Sequence, residues 1–230
     1  MRGTPGADGT AGRFSTKLVP QLWTALRRPG GWRRLLENVR LDLRYGGRVL
    51  GGAIANPGNA QGFFHTANTD YRVLSRYFAA LELREDDVIV DVGCGKGRLF
   101  NFLLSLGVRN RAIGIEINPA VARFTRRRLR RYPQFEIVEA NVLELPAIPG
   151  TVLFLFNPFS REIMARFLAR LETRSTGGES RGRPVVLYRN AEDLDLFQQS
   201  GFWRVLRRFT PVEVDARHGG AVLEFTGSRE

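Results

Sequence analysis

A run of β-branched residues, Val88-Ile89-Val90-Asp91-Val92, breaks into Gly93-Cys94-Gly95-Lys96-Gly97 and passes at once into an apolar helical stretch, Gly97–Leu106. This transition constrains the fold more than any other segment. A short, continuously apolar strand is buried on both faces, as in a parallel sheet. Three glycines in five positions permit a tight turn and let a ligand approach the main chain at the carboxyl end of that strand.

Downstream the pattern alternates. Strands are expected at Ala112–Glu116, Phe135–Glu139, Thr151–Phe156 and Val185–Tyr188, and helices at Pro119–Tyr132, Arg161–Leu171 and Ala191–Gln199. Pro119 suits the first turn of its helix. Strand–helix–strand units at this spacing imply right-handed crossovers and a parallel sheet covered on both sides. Two final strands, Trp203–Phe209 and Val222–Phe225, have no intervening helical pattern and so permit an antiparallel hairpin at the edge. Thr173–Arg183 reads as a flexible surface loop. The expected architecture is α/β, with seven strands, mostly parallel.

Ahead of this unit, residues 1–16 lack periodicity and read as a disordered tail. Residues 17–62 read as a helical extension and loop. Two short helices are expected between Leu18 and Tyr45, separated at Pro29-Gly30-Gly31, and the glycine-rich stretch 46–62 reads as loop. The arginines on the helices, Arg27, Arg28, Arg33, Arg34 and Arg40, allow contact with a membrane surface or nucleic acid, although a cap packed on the main domain is the plainer reading. Tyr71–Leu83 is expected to be a helix, and residues 63–230 the main domain.

The chain of 230 residues carries a net charge of +12, and Lys17 and Lys96 are its only lysines among 35 basic residues. Arginine in place of lysine follows from a GC-rich genome as well as from selection. The excess of basic over acidic residues does not, and it favours an anionic partner. Cys94, the single cysteine, cannot form an internal disulfide, and no window resembles a membrane span or a signal peptide. A cytoplasmic protein without integral membrane contact is expected. No metal-ligand cluster is present in the sequence.

Electrostatics separate two classes of nucleotide cofactor at the glycine loop. A GxGxxG frame would need glycine where Arg98 stands, and Asp91 would repel a pyrophosphate. S-adenosylmethionine (SAM) has no phosphate and carries a cationic methionyl end, so Asp91 suits it. Asp91–Gly97 resembles motif I of the class I SAM-dependent methyltransferases. Glu116, at the end of the next strand and 25 residues beyond Asp91, resembles the family's ribose-binding acid. Glu139-Ala140-Asn141-Val142 is similar to its adenine-binding segment, with Asn141 where the family often has Asp. The resemblance spans about residues 65–230. It implies a Rossmann-like seven-stranded sheet with helices on both faces, and SAM as cofactor. It also implies a cofactor-binding set of Asp91, Gly93, Cys94, Gly95, Gly97, Glu116, Ile117, Asn141 and Val142, with Ile117 against the adenine. Asp91–Arg98 and Phe156-Asn157-Pro158-Phe159, with Arg44-Tyr45-Gly46 upstream, resemble a group of small bacterial methyltransferases of unassigned substrate.

Asn157-Pro158-Phe159 resembles the [DN]-P-P-[FYW] motif of amino-directed methyltransferases, one proline short. Methyl transfer needs an acceptor lone pair held in line with the sulfonium methyl, with little proton chemistry beforehand. An Asn157 oxygen and a backbone carbonyl can accept an amine's N–H groups, and Phe159 can cover the acceptor. The same residues could merely start the helix, with Ser160 as N-cap. His65 or Tyr71 could line the site; His218, beside Gly219-Gly220, reads as a turn residue, and Cys94 as small packing within its loop.

The expected activity is N-directed methyl transfer to an amine of a protein or small molecule. An RNA base methyltransferase and a SAM-binding basic module without activity are the alternatives. Arg123, Arg126, Arg127, Arg128, Arg130 and Arg131 crowd one helix, where they form either a solvated face or a contact for RNA or an acidic protein. The methyl acceptor is not named by the sequence.

Overall fold

The computed structural model describes residues 31–51, 62, 68–176 and 184–227. Within them the elements run α1 (Gly31–Gly46), α2 (Tyr71–Phe78), β1 (Ile89–Val92), α3 (Arg98–Ser105), β2 (Ala112–Glu116), α4 (Pro119–Leu129) and β3 (Phe135–Glu139). The order continues with β4 (Val152–Phe156), α5 (Arg161–Thr176), β5 (Val185–Arg189), α6 (Leu194–Ser200), β6 (Trp203–Phe209), α7 (Pro211–Val214) and β7 (Gly220–Phe225).

One seven-stranded sheet in the order β3-β2-β1-β4-β5-β7-β6 organises the chain. Strands β1 to β5 pair in parallel, and β7 runs antiparallel between β5 and β6. Chain order reverses between β1 and β4, whose carboxyl ends meet where Val92 pairs with Leu155. Such a switch point is where ligands bind in this architecture.

Both faces of the sheet are buried, because alternate residues feed two cores. Val90, Val92, Ile113, Ile115, Leu153 and Leu155 pack with Met164 and Phe167 of α5 and Phe197 of α6. Ile89, Ala112, Val152 and Phe154 pack on the other side with Leu74 and Tyr77 of α2 and Phe100 and Leu103 of α3. A chain buried on both faces cannot alternate apolar with polar, which explains the continuous β-branched runs.

Several boundaries differ from the sequence reading. The helix expected over Tyr71–Leu83 ends at Phe78, because i→i+3 bonds from Ala80 and Leu81 tighten and close its last turn. The helix after β2 ends at Leu129, short of Tyr132. Helix α5 extends to Thr176, so the expected loop from Thr173 begins later; its residues 177–183 lie outside the described residues. Strand β7 starts at Gly220, two residues early, and α7 was not expected. Thr210 and Glu213 form a reciprocal capping box there, on Pro211 at the first turn. The tail 1–16, the first extension helix, most of the loop 46–62 and His65 lie outside the described residues. Among the described residues no helix is long and apolar enough to cross a membrane.

Candidate active site

The loop after β1 turns through left-handed backbone at Gly93, Gly95 and Gly97, with φ of 76°, 52° and 76°. Side chains from β2 and α4 hold its main chain. The Gly95 N–H donates to Glu116 Oε2 at 2.9 Å, and Thr125 Oγ1 donates to the Gly95 carbonyl at 2.7 Å. Arg128 Nη2 donates to the carbonyls of Lys96 and Gly97, each at 2.9 Å. Lys96 Nζ in turn donates to the Gly51 carbonyl. Cys94 packs beneath the loop: a Cβ on Gly114 would lie 2.7 Å from its sulfur, and burial pushes its thiol upward. Its side chain is packing; only its backbone borders the turn.

Asp91 lies within β1, paired with Gly114 and Phe154, and Glu116 is the last residue of β2. Both are buried, at 7% and 2% exposure. Desolvation, followed by repulsion from Glu116, raises the Asp91 carboxyl to about 8. Glu116 is raised by burial too, an effect opposed by N–H bonds from Asn118 and Gly95. Two buried carboxylates therefore share one end of the sheet beside an accommodating glycine turn. A cation bound beside Asp91 would relieve its desolvation and the repulsion from Glu116, and SAM carries a cation at its methionyl end. The donor set matches that cofactor and disfavours a phosphate.

Asn141 follows β3 by two residues. Its Oδ1 accepts from the Leu143 N–H at 3.0 Å and its Nδ2 donates to Glu144 Oε1 at 3.0 Å. The side chain thus shapes its own turn. Val142 is buried in the core, and Ile117 packs partly buried at its margin.

On the acceptor side, Asn157 directly follows β4 with φ of 38°, a left-handed conformation that Asn tolerates better than most residues. The Tyr188 hydroxyl donates to its Oδ1 at 3.3 Å, and its Nδ2 donates to Glu192 Oε2 at 3.1 Å. A Cβ on Gly93 would lie 3.4 Å from Pro158 Cβ, so the glycine loop and Asn157-Pro158 adjoin across the switch point. The Ser160 N–H donates to the Gly62 carbonyl at 2.7 Å, which brings the preceding segment against the same turn.

Residues 89–172 match the family model of the methyltransferase domain. That stretch is a methyltransferase domain. Ribosomal RNA small subunit methyltransferase A of Thermotoga neapolitana is 31% identical over 93 residues, 40% of this chain and 35% of that protein. An rRNA adenine N-6-methyltransferase of Limosilactobacillus reuteri is 27% identical over 100 residues, 44% of this chain and 40% of its own. The chain spans about a third of the length of the first of these curated relatives. A putative methyltransferase of Escherichia coli shares the fold at a TM-score of 0.51 and 18% identity, covering 76% of this chain and 98% of its own. Human N-acetylserotonin methyltransferase in complex with SAM does so at 0.50 and 14% identity, covering 66% and 51%.

Three expectations about the methyltransferase domain need correction. Phe159 does not open toward an acceptor: it is 3% exposed, with its ring 5.5 Å from Phe167 in the core. Tyr71 does not face the cofactor loop but donates to Asp42 of α1 at 2.8 Å. The arginine cluster is not one solvated face. Arg128 turns inward to Asn101 and the loop carbonyls, and Arg126 donates to the Ile137 carbonyl. Arg123, Arg126, Arg127, Arg130 and Arg131 remain exposed.

A polar network beneath the loop was not anticipated. Fully buried Asp42 accepts from Arg98 Nε at 3.0 Å and Nη2 at 2.6 Å, from the Tyr71 hydroxyl, and from the Leu50 N–H at 2.9 Å. Tyr188 and Glu192 around Asn157 were missed as well. Helical spacing held a clue to Arg128, which is three residues beyond buried Thr125 on the same face.

Proposed function

We propose that this chain is a methyltransferase that delivers the methyl group of SAM to an amine nitrogen of a protein or small molecule. The observation that carries the proposal is the position of Asn157. It stands at the carboxyl end of β4, across the switch point from the glycine loop, with its amide oriented by Tyr188 and Glu192. SAM supplies an electrophilic sulfonium methyl. Asp91, Gly93, Cys94, Gly95, Gly97 and Glu116 would hold it, with Ile117, Asn141 and Val142 toward the adenine. Asn157 Oδ1 keeps capacity to accept one N–H of a neutral amine and so aim its lone pair. An amide does this without a charge that would favour the unreactive ammonium form. Pro158 stiffens the turn, and Phe159 supports it from the core.

A second reading, methylation of an RNA base amine, draws on the rRNA methyltransferases among the relatives and on exposed Arg123, Arg127, Arg130 and Arg131, which suit a polyanion. We place the enzyme in the cytoplasm, where its one buried thiol stays reduced. Labelled SAM supplied to the protein with cell extract, treated separately with protease or RNase, tests both readings. Label lost on protease treatment, or retained in small molecules, supports the first; label lost on RNase supports the second. No transfer under any treatment would leave a SAM-binding module without activity.

A further inference from the structure

Helix α1 is docked on the domain by a polar stripe, with Leu41 packed on the core beside it. Arg34, Asn38 and Asp42, spaced four apart, point inward. Arg34 pairs with Asp70 and with Asp215 at 2.9 Å, Asn38 Nδ2 donates to Asp70 at 2.5 Å, and Asp42 meets Arg98. An amphipathic helix ordinarily buries its apolar stripe instead. Here Trp32, Leu36 and Leu43, which share another face, stand 53%, 58% and 50% exposed. Arginines flank them: Arg33 lies over the Trp32 ring at 5.2 Å, Arg44 over Tyr45 at 5.5 Å, and Arg40 is exposed. The sequence just upstream repeats this composition, with Leu18, Leu22, Trp23 and Leu26 beside Arg27 and Arg28.

We propose that this outward face is an interfacial docking surface for an anionic lipid bilayer. An apolar stripe with a tryptophan can seat at the boundary between headgroups and acyl chains, while arginines on the flank meet anionic headgroups. A nucleic acid partner would account for the arginines and not for two exposed leucines.

Flotation of the full chain with phosphatidylcholine vesicles, with and without phosphatidylglycerol, tests this. Binding is expected only to the anionic vesicles. Leu36→Asp with Leu43→Asp should lower it at least about tenfold, and Arg33→Gln, Arg40→Gln and Arg44→Gln together should lower it comparably. Circular dichroism and melting temperature should match the parent, and the milder Leu36→Ala with Leu43→Ala pair should fall between. Absence of binding, or binding indifferent to the leucine changes, overturns the proposal. So does a dimer in sedimentation that the leucine changes dissociate, which would give the face to a second copy. An RNA affinity lost with the leucines would overturn it in favour of RNA.

Discussion

Asn157 is held from two sides, with the Tyr188 hydroxyl on its oxygen and Glu192 on its nitrogen. This arrangement sets which amide atom faces an acceptor. If Asn157 aims an amine, Asn157→Ala removes one aligned bond worth about 2–4 kcal/mol of transition-state stabilisation, and turnover should fall about 10²-fold at nearly constant SAM affinity. Tyr188→Phe should lower kcat less and leave cofactor affinity alone. Full turnover by Asn157→Ala, measured alongside calorimetric SAM affinity, would return the residue to helix initiation. Asp91 makes a separate prediction. Its carboxyl, near 3.8 in an unfolded chain, titrates at about 8 in the fold. The folded state therefore binds the proton more tightly, and stability without cofactor should fall as pH rises from about 4 to 8. Cation binding needs the ionised form. SAM affinity should weaken by up to about tenfold per pH unit below 8, with proton release at pH 7 detectable by calorimetry in buffers of different ionisation enthalpy. A flat affinity profile would separate Asp91 from the methionyl end.

At the scale of elements, β2, β3 and β6 have the bounds that their residue patterns imply: β2 is buried at every position and reads as an apolar run, whereas β3 and β6, at the two edges of the sheet, mix apolar with charged residues. Helix ends were less legible. Phe78 and Leu129 close their helices through turn geometry, which apolar spacing does not encode. The glycine loop and Glu116 were readable because their chemistry is local. The grip on that loop was not, since Arg128 reaches Gly97 from 31 residues away along the chain and Asp42 reaches the adjoining Arg98 from 56. The same distance hid the inversion of α1, whose apolar spacing looks identical whether the stripe faces core or solvent. The buried Asp42–Arg98 pair gives a test. Asp42→Ala strands a guanidinium at 7% exposure and should cost about 3–5 kcal/mol, read as a lowered midpoint in urea. Unchanged stability would mean that Arg98 finds another partner or water.

Across the whole molecule, basic charge divides into what the fold consumes and what it presents. Arg98, Arg128 and Arg189 are spent internally, on Asp42, loop carbonyls and the carbonyls of Val214 and Asp215. Arg123, Arg127, Arg130 and Arg131 of the α4 region remain outside. Changing Arg127, Arg130 and Arg131 to Gln should flatten the salt dependence of RNA binding by up to about three counterions, leaving SAM affinity unchanged. An identical slope would make the cluster a solvated face. The Asp42–Arg98 contact also bears on how this protein should be cut for study. A fragment starting after residue 62 would retain every strand, the glycine loop and Asn157. It would nonetheless lose the carboxylate that neutralises a guanidinium beneath that loop, and Arg34's clasp on Asp70 and Asp215. The shortest piece worth expressing therefore begins upstream of Gly31, and a smaller one should emerge as an aggregate.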